Sequence, residues 1–335
     1  MTSSLGTLKD SFGRKITYLR LSVTDRCNLR CFYCMPQAKF SWMPPETLLK
    51  YEEIIQIVRV LACLGVKKIR LTGGEPLVRK DIVSLIKKIA QIEGIEKVCL
   101  TTNGVFLKSV AKDLFNAGLR HINISLDTLN PERFLEITGM DQFFNVFNSI
   151  KTCVEMGFSP IKINFVMMKG KNDDELTNFA ELTQKWPIEV RFIEFMPIGS
   201  SSKWGEEYFL SSDDAKIIIE NVCGRLKPVK QLKDSGPAEL FKLPNSIGKI
   251  GFISPLSHKF CSNCNRIRIR ADGTLRLCLF SDMEIGLRNI VRNGISDYKL
   301  AKLFLEAISK KPATYLNDQK KERPYCKQQM SSIGG

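Results

Sequence analysis

Strand-like and helix-like segments alternate along the first 200 residues, and this alternation constrains the fold more than any other feature. Six apolar runs read as strands, and a helical pattern follows each one. The predicted strands are 16–24, 67–71, 97–100, 121–126, 161–167 and 189–195, and the helices are 46–64, 81–92, 107–117, 143–156, 173–186 and 211–222. This order predicts right-handed parallel βα units. Since six units are two short of a closed barrel, we expect an α/β fold with a partial (βα)6 TIM-like barrel.

Polar motifs follow these strands at the points where the strands end. The clearest are 24–28, 72–76 and 101–104, with Asp127 and Met196 after two later strands. In parallel barrels the reactive residues lie at the carboxyl ends of the strands. The sequence therefore predicts a functional site at that edge of the sheet.

Three cysteines, Cys27, Cys31 and Cys34, follow the first strand at the spacing C-x3-C-x2-C. Three thiolates can hold three corners of a four-iron cluster and leave the fourth iron open. The alternative is zinc, whose structural sites usually pair cysteines and close the tetrahedron with a fourth ligand. No histidine or cysteine follows within the next twenty residues, so the iron–sulfur interpretation is favoured here.

A second triplet, Cys261, Cys264 and Cys278, is ambiguous by its spacing. His258 or Cys326 could complete a zinc site, and spacing alone slightly favours zinc. Disulfides are not expected in a chain without a secretory signal, so clustered cysteines indicate metal in either case.

The pattern changes after residue 200. Short β-like runs appear at 239–243 and 249–253, and Asp272-Gly273 between alternating residues predicts a hairpin. Two further helices are expected before a polar tail. We therefore expect a barrel core at 1–200 and a C-terminal α+β extension at 201–335.

The net charge of +15 over 335 residues suits nucleic acid, a membrane surface or an anionic small substrate as partner. No apolar run has the length of a membrane span, and the first fourteen residues are too short and polar for a signal peptide. The basic run 266–276 lacks the interleaved aromatics of single-strand nucleic-acid binders. Arg70, Lys162 and Arg191 lie on predicted strands, so a polyanion at the barrel mouth is favoured, without nucleic acid or membrane.

Several motifs together resemble a known family. The cysteine triplet with an aromatic, Tyr33, before its last member resembles the radical S-adenosylmethionine (SAM) superfamily. The stretches 18–28, 72–76, 101–104 and 261–268 and the terminal Gly334-Gly335 are similar to the MoaA family, the GTP 3′,8-cyclases of molybdenum cofactor biosynthesis. The alternative within the superfamily is a peptide-modifying enzyme with auxiliary clusters, a class that generally carries more C-terminal cysteines.

The resemblance implies a lyase that binds SAM and two [4Fe-4S] clusters. Reductive cleavage of SAM would give a 5′-deoxyadenosyl radical that takes the ribose 3′ hydrogen of GTP. The sugar radical would then attack C8 of guanine and form (8S)-3′,8-cyclo-7,8-dihydroguanosine 5′-triphosphate. Implied partners are a reducing electron donor, cyclic pyranopterin monophosphate synthase as the downstream enzyme and a second copy in a homodimer, in the cytoplasm.

The resemblance also implies roles for individual residues. Both cysteine triplets would hold clusters, the second one contacting guanine. Residues implied to contact SAM are Tyr33, Gly74, Glu75, Ser125 and Met196. Residues implied to contact GTP are Arg20, Arg70, Thr101, Lys162, Arg191, Arg266, Ile267 and Arg268. Residues implied to be catalytic are Arg20, Gly334 and Gly335.

Overall fold

The structure is a computed structural model that describes residues 6–35, 41–199, 205–230, 236–281, 283–315, 326 and 328–334. Within these ranges the strands form one twelve-stranded sheet. The strands are β1 Tyr18–Ser22, β2 Lys68–Thr72, β3 Lys97–Thr102, β4 His121–Ser125, β5 Ile161–Met167, β6 Ile188–Glu194, β7 Lys227–Pro228, β8 Glu239–Lys242, β9 Lys249–Ile253, β10 Arg266–Ile269, β11 Thr274–Arg276 and β12 Glu284–Gly286.

The helices lie between and after these strands. They are α1 Tyr51–Cys63, α2 Ile82–Ala90, α3 Leu107–Asn116, α4 Pro131–Thr138, α5 Phe143–Glu155, α6 Leu176–Lys185, α7 Ser212–Cys223, α8 Arg288–Arg292, α9 Asp297–Ser309 and α10 Met330–Ile333. No helix in the described ranges is long and apolar enough to cross a membrane.

The sheet order is β12-β11-β10-β1-β2-β3-β4-β5-β6-β9-β8-β7. Strands β1 to β6 pair in chain order and in parallel, which confirms the partial (βα)6 barrel. Two strands from the C-terminal part also pair in parallel, β10 with β1 and β9 with β6. The parallel stretch is therefore eight strands wide, and antiparallel strands continue it at both edges. The division near residue 200 stays a prediction.

Side chains alternate between the two faces of these parallel strands, as the two-residue period of a strand requires. On β1, Leu19 and Leu21 are fully buried and share one apolar core with Ile57 and Leu61 of α1. Every parallel strand of the six βα units contributes aliphatic or aromatic residues to this core. The opposite face carries polar and charged residues, so the helix side supplies the apolar burial and the barrel interior is polar.

Helix α4 was missed by the sequence analysis, which predicted no element between 127 and 142. It begins at Asn130, whose side chain accepts hydrogen bonds from the backbone N–H groups of Glu132 and Arg133, with Pro131 in the first turn. This Asn-Pro-Glu sequence is a recognisable helix start. The helix matters for the site because the carbonyls of its last residues accept the backbone N–H groups of Arg30 and Phe32.

The hairpin at Asp272-Gly273 is confirmed. Strands β10 and β11 pair antiparallel with Ile269 opposite Leu275, and Gly273 has a φ of +81°. A left-handed residue of this kind favours glycine. Because of this hairpin, the residues that follow β11 run back alongside those that precede β10.

Candidate active site

The loop that carries the first cysteine triplet leaves β1 and packs against the turn after β2. Gly74 N–H donates to the Thr24 carbonyl at 2.7 Å, and Glu75 N–H donates to the Arg26 carbonyl at 2.8 Å. A Cβ on Gly74 would lie 2.4 Å from the carbonyl oxygens of Asp25 and Arg26. Only glycine permits this approach, so the chain's own backbone explains the residue type here. A contact of Gly74 with SAM stays a prediction.

Glu75 lies at the base of the same turn and is fully buried. Its carboxylate accepts from Leu77 N–H at 3.0 Å, Thr102 Oγ1 at 2.7 Å and Asn103 N–H at 2.6 Å. Burial raises the pKa of Glu75 to about 7. The carboxylate therefore ties the end of β2 to the end of β3, and its predicted contact with SAM stays a prediction.

The thiols of the first triplet lie within one another's electrostatic field. Burial raises the pKa of Cys27 to about 11 and that of Cys34 to about 12, and it raises the pKa of Cys31 well above its usual range. For Cys31 the other two thiols add to this effect. Three half-buried thiolates close to one another need a positive partner, which iron supplies, so this donor set fits a cluster.

Three of the residues predicted to contact SAM are Tyr33, within this loop, and Ser125 and Met196, at the carboxyl ends of two other strands. Tyr33 donates its hydroxyl to Asp127 Oδ2 at 2.5 Å. Ser125 ends β4, and Met196 follows β6 and packs on a small apolar cluster with Ile198. Asp127 was noted only as a strand end, yet it is buried, burial raises its pKa to about 6, and it also accepts the Val166 N–H.

The guanidinium groups predicted to bind GTP form a row across three parallel strands. The sheet register places Arg20 of β1 between Arg268 of β10 and Arg70 of β2. Arg70 donates to the hydroxyl of Tyr18 at 2.6 Å and to Thr101 Oγ1 at 3.2 Å. The row of guanidinium groups therefore lies on the polar face of the sheet, and Thr101 contacts it through Arg70.

Positive charge in this row is poorly compensated. Among the described residues, Arg266 Nε and Arg268 Nη1 are buried atoms without a hydrogen-bond partner. Burial lowers the pKa of Arg268 to about 10, and the positive charge of Arg266 adds to this effect. Burial and the neighbouring Arg268 lower the pKa of Arg20 well below its usual range. Ile267 differs from its neighbours, because its side chain is in the apolar core and only its backbone can face the site.

The far side of the barrel adds further cations. Glu189 pairs with Arg191 at 2.5 Å and with Lys162 at 3.5 Å. Burial, with the nearby Arg191, outweighs this carboxylate and lowers the pKa of Lys162 to about 7. Burial and Lys68 lower the pKa of His121 to about 4. Lys68 and His121 were not predicted as site residues, although each begins a strand on the polar face.

Two cysteines of the second triplet flank the β10–β11 hairpin. Cys264 precedes β10 and Cys278 follows β11, so the antiparallel pairing returns the segment that carries Cys278 alongside the one that carries Cys264. Lys311 is buried and donates its ammonium to the carbonyls of Arg266 at 3.0 Å and of Leu277. Burial opposes ionisation of Cys264, but Lys311 and then Arg266 outweigh it and lower the pKa of that thiol.

His258 and Cys326, either of which could complete a zinc site at the second triplet, have other partners. His258 Nε2 lies 2.7 Å from Asp213 Oδ2, and Cys326 Sγ accepts from Arg276 Nη2 at 3.8 Å. In the described ranges, which include all six cysteines of the two triplets, no three Cys, His, Asp or Glu side chains are arranged to hold one metal ion.

The C-terminal tail enters the polar face of the barrel. The Gly334 carbonyl accepts from Arg20 Nη2 at 3.2 Å, and a Cβ on Gly334 would lie 2.7 Å from Thr72 Oγ1 and 3.2 Å from Ser22 Cβ. Gly334 has a φ of +85°. Gly335, also predicted to be catalytic, lies outside the described residues.

Comparisons with known proteins agree with this geometry. Residues 21–183 match the family model described as Radical SAM superfamily, and residues 188–317 match Molybdenum Cofactor Synthesis C. A protein named GTP 3′,8-cyclase from Thermodesulfovibrio yellowstonii is 48% identical over 98% of this chain and 100% of its own length. One of the same name from Petrotoga mobilis is 46% identical over 97% of this chain and 99% of its own.

Among solved structures, Streptococcus suis SuiB bound to S-adenosylmethionine superposes with a TM-score of 0.63 and 15% identity. The match covers 93% of this chain and 76% of that one. Identity at this level shows a shared fold.

Proposed function

Because the chain belongs to the radical SAM superfamily and to the GTP 3′,8-cyclase family within it, we propose the reaction and the residue roles that follow. The enzyme is a lyase that converts GTP to (8S)-3′,8-cyclo-7,8-dihydroguanosine 5′-triphosphate, in the first step of molybdenum cofactor biosynthesis. When bound, SAM and a reduced cluster supply the 5′-deoxyadenosyl radical that takes the ribose 3′ hydrogen. The protein contributes binding, orientation and exclusion of water.

The first triplet, Cys27, Cys31 and Cys34, would hold the SAM cluster. A three-cysteine site leaves one iron open for SAM, which the cluster of a radical SAM enzyme requires. Tyr33, Gly74, Glu75, Ser125 and Met196 are the residues proposed to position SAM. The turn after β2 supports this role, since it packs directly against the cysteine loop.

The second triplet, Cys261, Cys264 and Cys278, would hold an additional [4Fe-4S] cluster, which in the family would supply a contact to the guanine of the substrate. Its surroundings support an anionic cluster, because the buried Lys311 ammonium donates to the carbonyl of Arg266, two residues after Cys264, and to that of Leu277, directly before Cys278. Second-sphere charge of this kind stabilises thiolate ligands.

The row of cations on the polar barrel face is the observation that carries the proposal for GTP. Arg268, Arg20 and Arg70 lie side by side in register. Triphosphate is a polyanion that guanidinium groups grip with paired hydrogen bonds. Thr101, Lys162, Arg191, Arg266 and the backbone of Ile267 complete the proposed GTP site.

The tail is proposed to lie beside the substrate and to guide cyclisation. Gly334 is held by Arg20, so a residue of the cation row also fixes the tail. The proposed role of Gly335 rests on the family alone. The electron donor, the homodimer, the use of the product by cyclic pyranopterin monophosphate synthase and the cytoplasmic location also stay proposals from the family.

The reaction is tested with GTP deuterated at the ribose 3′ carbon, under anaerobic conditions. We expect the label in 5′-deoxyadenosine, and GTP deuterated at the ribose 2′ carbon, the matched control, should give unlabelled 5′-deoxyadenosine. Unlabelled 5′-deoxyadenosine formed together with product from the 3′-labelled substrate would rule out abstraction at that carbon.

The second cluster is tested by metal analysis of anaerobically purified protein. We expect about eight irons per chain from two four-iron clusters. A variant with Cys261, Cys264 and Cys278 all changed to alanine should keep about four irons and a cluster that responds to SAM. Stoichiometric zinc at this triplet in the parent protein would refute the second cluster.

A further inference from the structure

Asp127 connects the first cysteine loop to the ends of two strands. It is buried and lies two residues after Ser125, the last residue of β4. Its Oδ2 accepts the hydroxyl of Tyr33 at 2.5 Å, and its Oδ1 accepts the backbone N–H of Val166 in β5 at 2.8 Å. Tyr33 stands directly before the last cysteine of the first triplet, so one carboxylate joins this loop to β4 and β5.

The backbone around Asp127 is fixed by a second buried side chain. Asn172 is completely buried and donates its amide to the carbonyl of Asp127 and to that of Val166, at 2.9 Å in each case. The Asn172 Oδ1 atom accepts the backbone N–H of Met168 at 2.8 Å. The barrel therefore holds the Asp127 carboxylate in place through contacts that do not involve the cysteine loop.

The ring of Tyr33 packs edge-on against two other aromatic rings. Its centroid lies 5.6 Å from that of Phe32 and 6.0 Å from that of Phe195. Phe195 stands directly before Met196, which is also proposed to position SAM. The Tyr33 ring therefore contacts the segment after β6, and the directional hydrogen bond to Asp127 fixes the orientation of the ring there.

We propose that Asp127 is a positioning residue for SAM, because it holds the Tyr33 side chain in the orientation that SAM binding requires. Asp127 is outside both cysteine triplets and outside the proposed SAM and GTP contacts, so it acts through Tyr33. When only a fraction of the molecules has the binding arrangement, the apparent affinity falls by that fraction. This inference rests on the proposed first cluster and on Tyr33 as a SAM contact.

The hydrogen bond between Tyr33 and Asp127 can be removed from either side. Tyr33→Phe lacks the hydroxyl and leaves Asp127 bound to the Val166 N–H. Asp127→Ala removes the acceptor for both groups. In Asp127→Asn the side-chain oxygen can still accept from Val166, while the amide can donate to the Tyr33 hydroxyl oxygen. The asparagine variant therefore keeps a link to Tyr33 that the alanine variant lacks.

The measurement is the Kd of SAM on anaerobic, cluster-loaded protein of equal iron content. SAM is titrated against the change that it causes in the electron paramagnetic resonance signal of the reduced cluster. The Kd should rise about tenfold in Tyr33→Phe and in Asp127→Ala, the effect of losing one hydrogen bond to a charged group. The double variant should show no further rise, and Asp127→Asn should regain most of the affinity that Asp127→Ala loses.

Thr128→Val is the matched control, because it removes a buried hydroxyl that donates to Glu175, directly beside Asp127 in the chain. Its Kd for SAM should equal that of the parent. A parent-like Kd in Tyr33→Phe, increases that multiply in the double variant, or an equal increase in Thr128→Val would overturn the proposal. Absence of any SAM-responsive signal in the parent would instead count against the proposed function.

Discussion

Replacing Arg268 by methionine should change protein stability and substrate affinity in opposite directions. Arg268 is half-buried, its Nη1 is a buried atom with no partner among the described residues, and Arg20 lies beside it in register. Its pKa is lowered from 12.5 to about 10 by burial and Arg266. Since a tenfold change in proton affinity is worth about 1.4 kcal/mol, the charged form costs the folded state about 3 kcal/mol.

Methionine fills similar space and carries no charge, so it removes this cost in the substrate-free protein. We expect the free energy of unfolding of Arg268→Met to rise by up to about 3 kcal/mol, with packing changes reducing the gain. GTP affinity should fall, because a hydrogen bond to a charged group is worth roughly 1.5–3 kcal/mol, which is about 10- to 150-fold in Kd.

Arg276 is the comparison variant, because it lies opposite Arg268 on β11 and, unlike Arg268, is completely buried and paired with Glu284. Removing the Arg276 guanidinium leaves the Leu279 and Ser281 carbonyls without this donor, at roughly 1–3 kcal/mol for an unsatisfied buried group. Arg276→Met should therefore be destabilised. Both variants would be compared with the parent by urea unfolding without GTP, and Arg268→Met also by GTP titration calorimetry, with iron content matched.

The free energy of unfolding is therefore expected to rise in Arg268→Met and to fall in Arg276→Met, although the two arginines are neighbours. If Arg268→Met were destabilised as much as Arg276→Met and bound GTP like the parent, Arg268 would be a structural residue. The unpaired cation would then have no connection with the substrate.

Three further predictions concern other parts of the site. Lys162 has a pKa of about 7 and should take up a proton when GTP binds, so GTP affinity should fall as the pH rises from 7 to 9. Titration calorimetry in buffers of different ionisation enthalpy measures this proton uptake. The Lys162→Met variant should show no such uptake. Glu75→Ala leaves three buried donors without an acceptor and should cost about 3 kcal/mol or more, seen as a lower urea midpoint. In Gly334→Ala, an alanine with a left-handed backbone conformation would place its Cβ against Thr72. The amount of cyclised product formed per molecule of 5′-deoxyadenosine should then fall at least tenfold, with the iron content unchanged. A ratio equal to that of the parent protein would contradict this prediction.

The parallel core could be predicted from sequence because periodicity and strand-end motifs are local signals. Strand β5 was predicted at its observed bounds, and the Asp272-Gly273 turn identified its hairpin. The joining of β9 and β10 to the barrel could not be predicted in this way. Their pairing with β6 and β1 depends on residues distant in sequence, which a window along the chain does not see.

The site was predictable to the extent that its motifs are contiguous. The cysteine triplets and strand arginines were identified, whereas Lys311 and Asp127 were not assigned to it. Each of these acts through a contact made only in the fold, such as the Lys311 ammonium on two carbonyls of the hairpin. In the sequence, Lys311 stands directly after Lys310, and nothing in that stretch indicates that its side chain is buried.

Strand β1 can pair with β10 only late in the synthesis of the chain. The two strands are adjacent in the sheet, yet Ser22 and Arg266 are separated by most of the sequence. At a synthesis rate of roughly 5–20 residues per second, β1 waits roughly 10–50 s for this neighbour. During that time its edge is unpaired, and unpaired edges favour association with other chains. Slow translation or low chaperone capacity should therefore lower the yield of folded protein, and the cysteine loop after β1 gains its complete surroundings only near the end of synthesis.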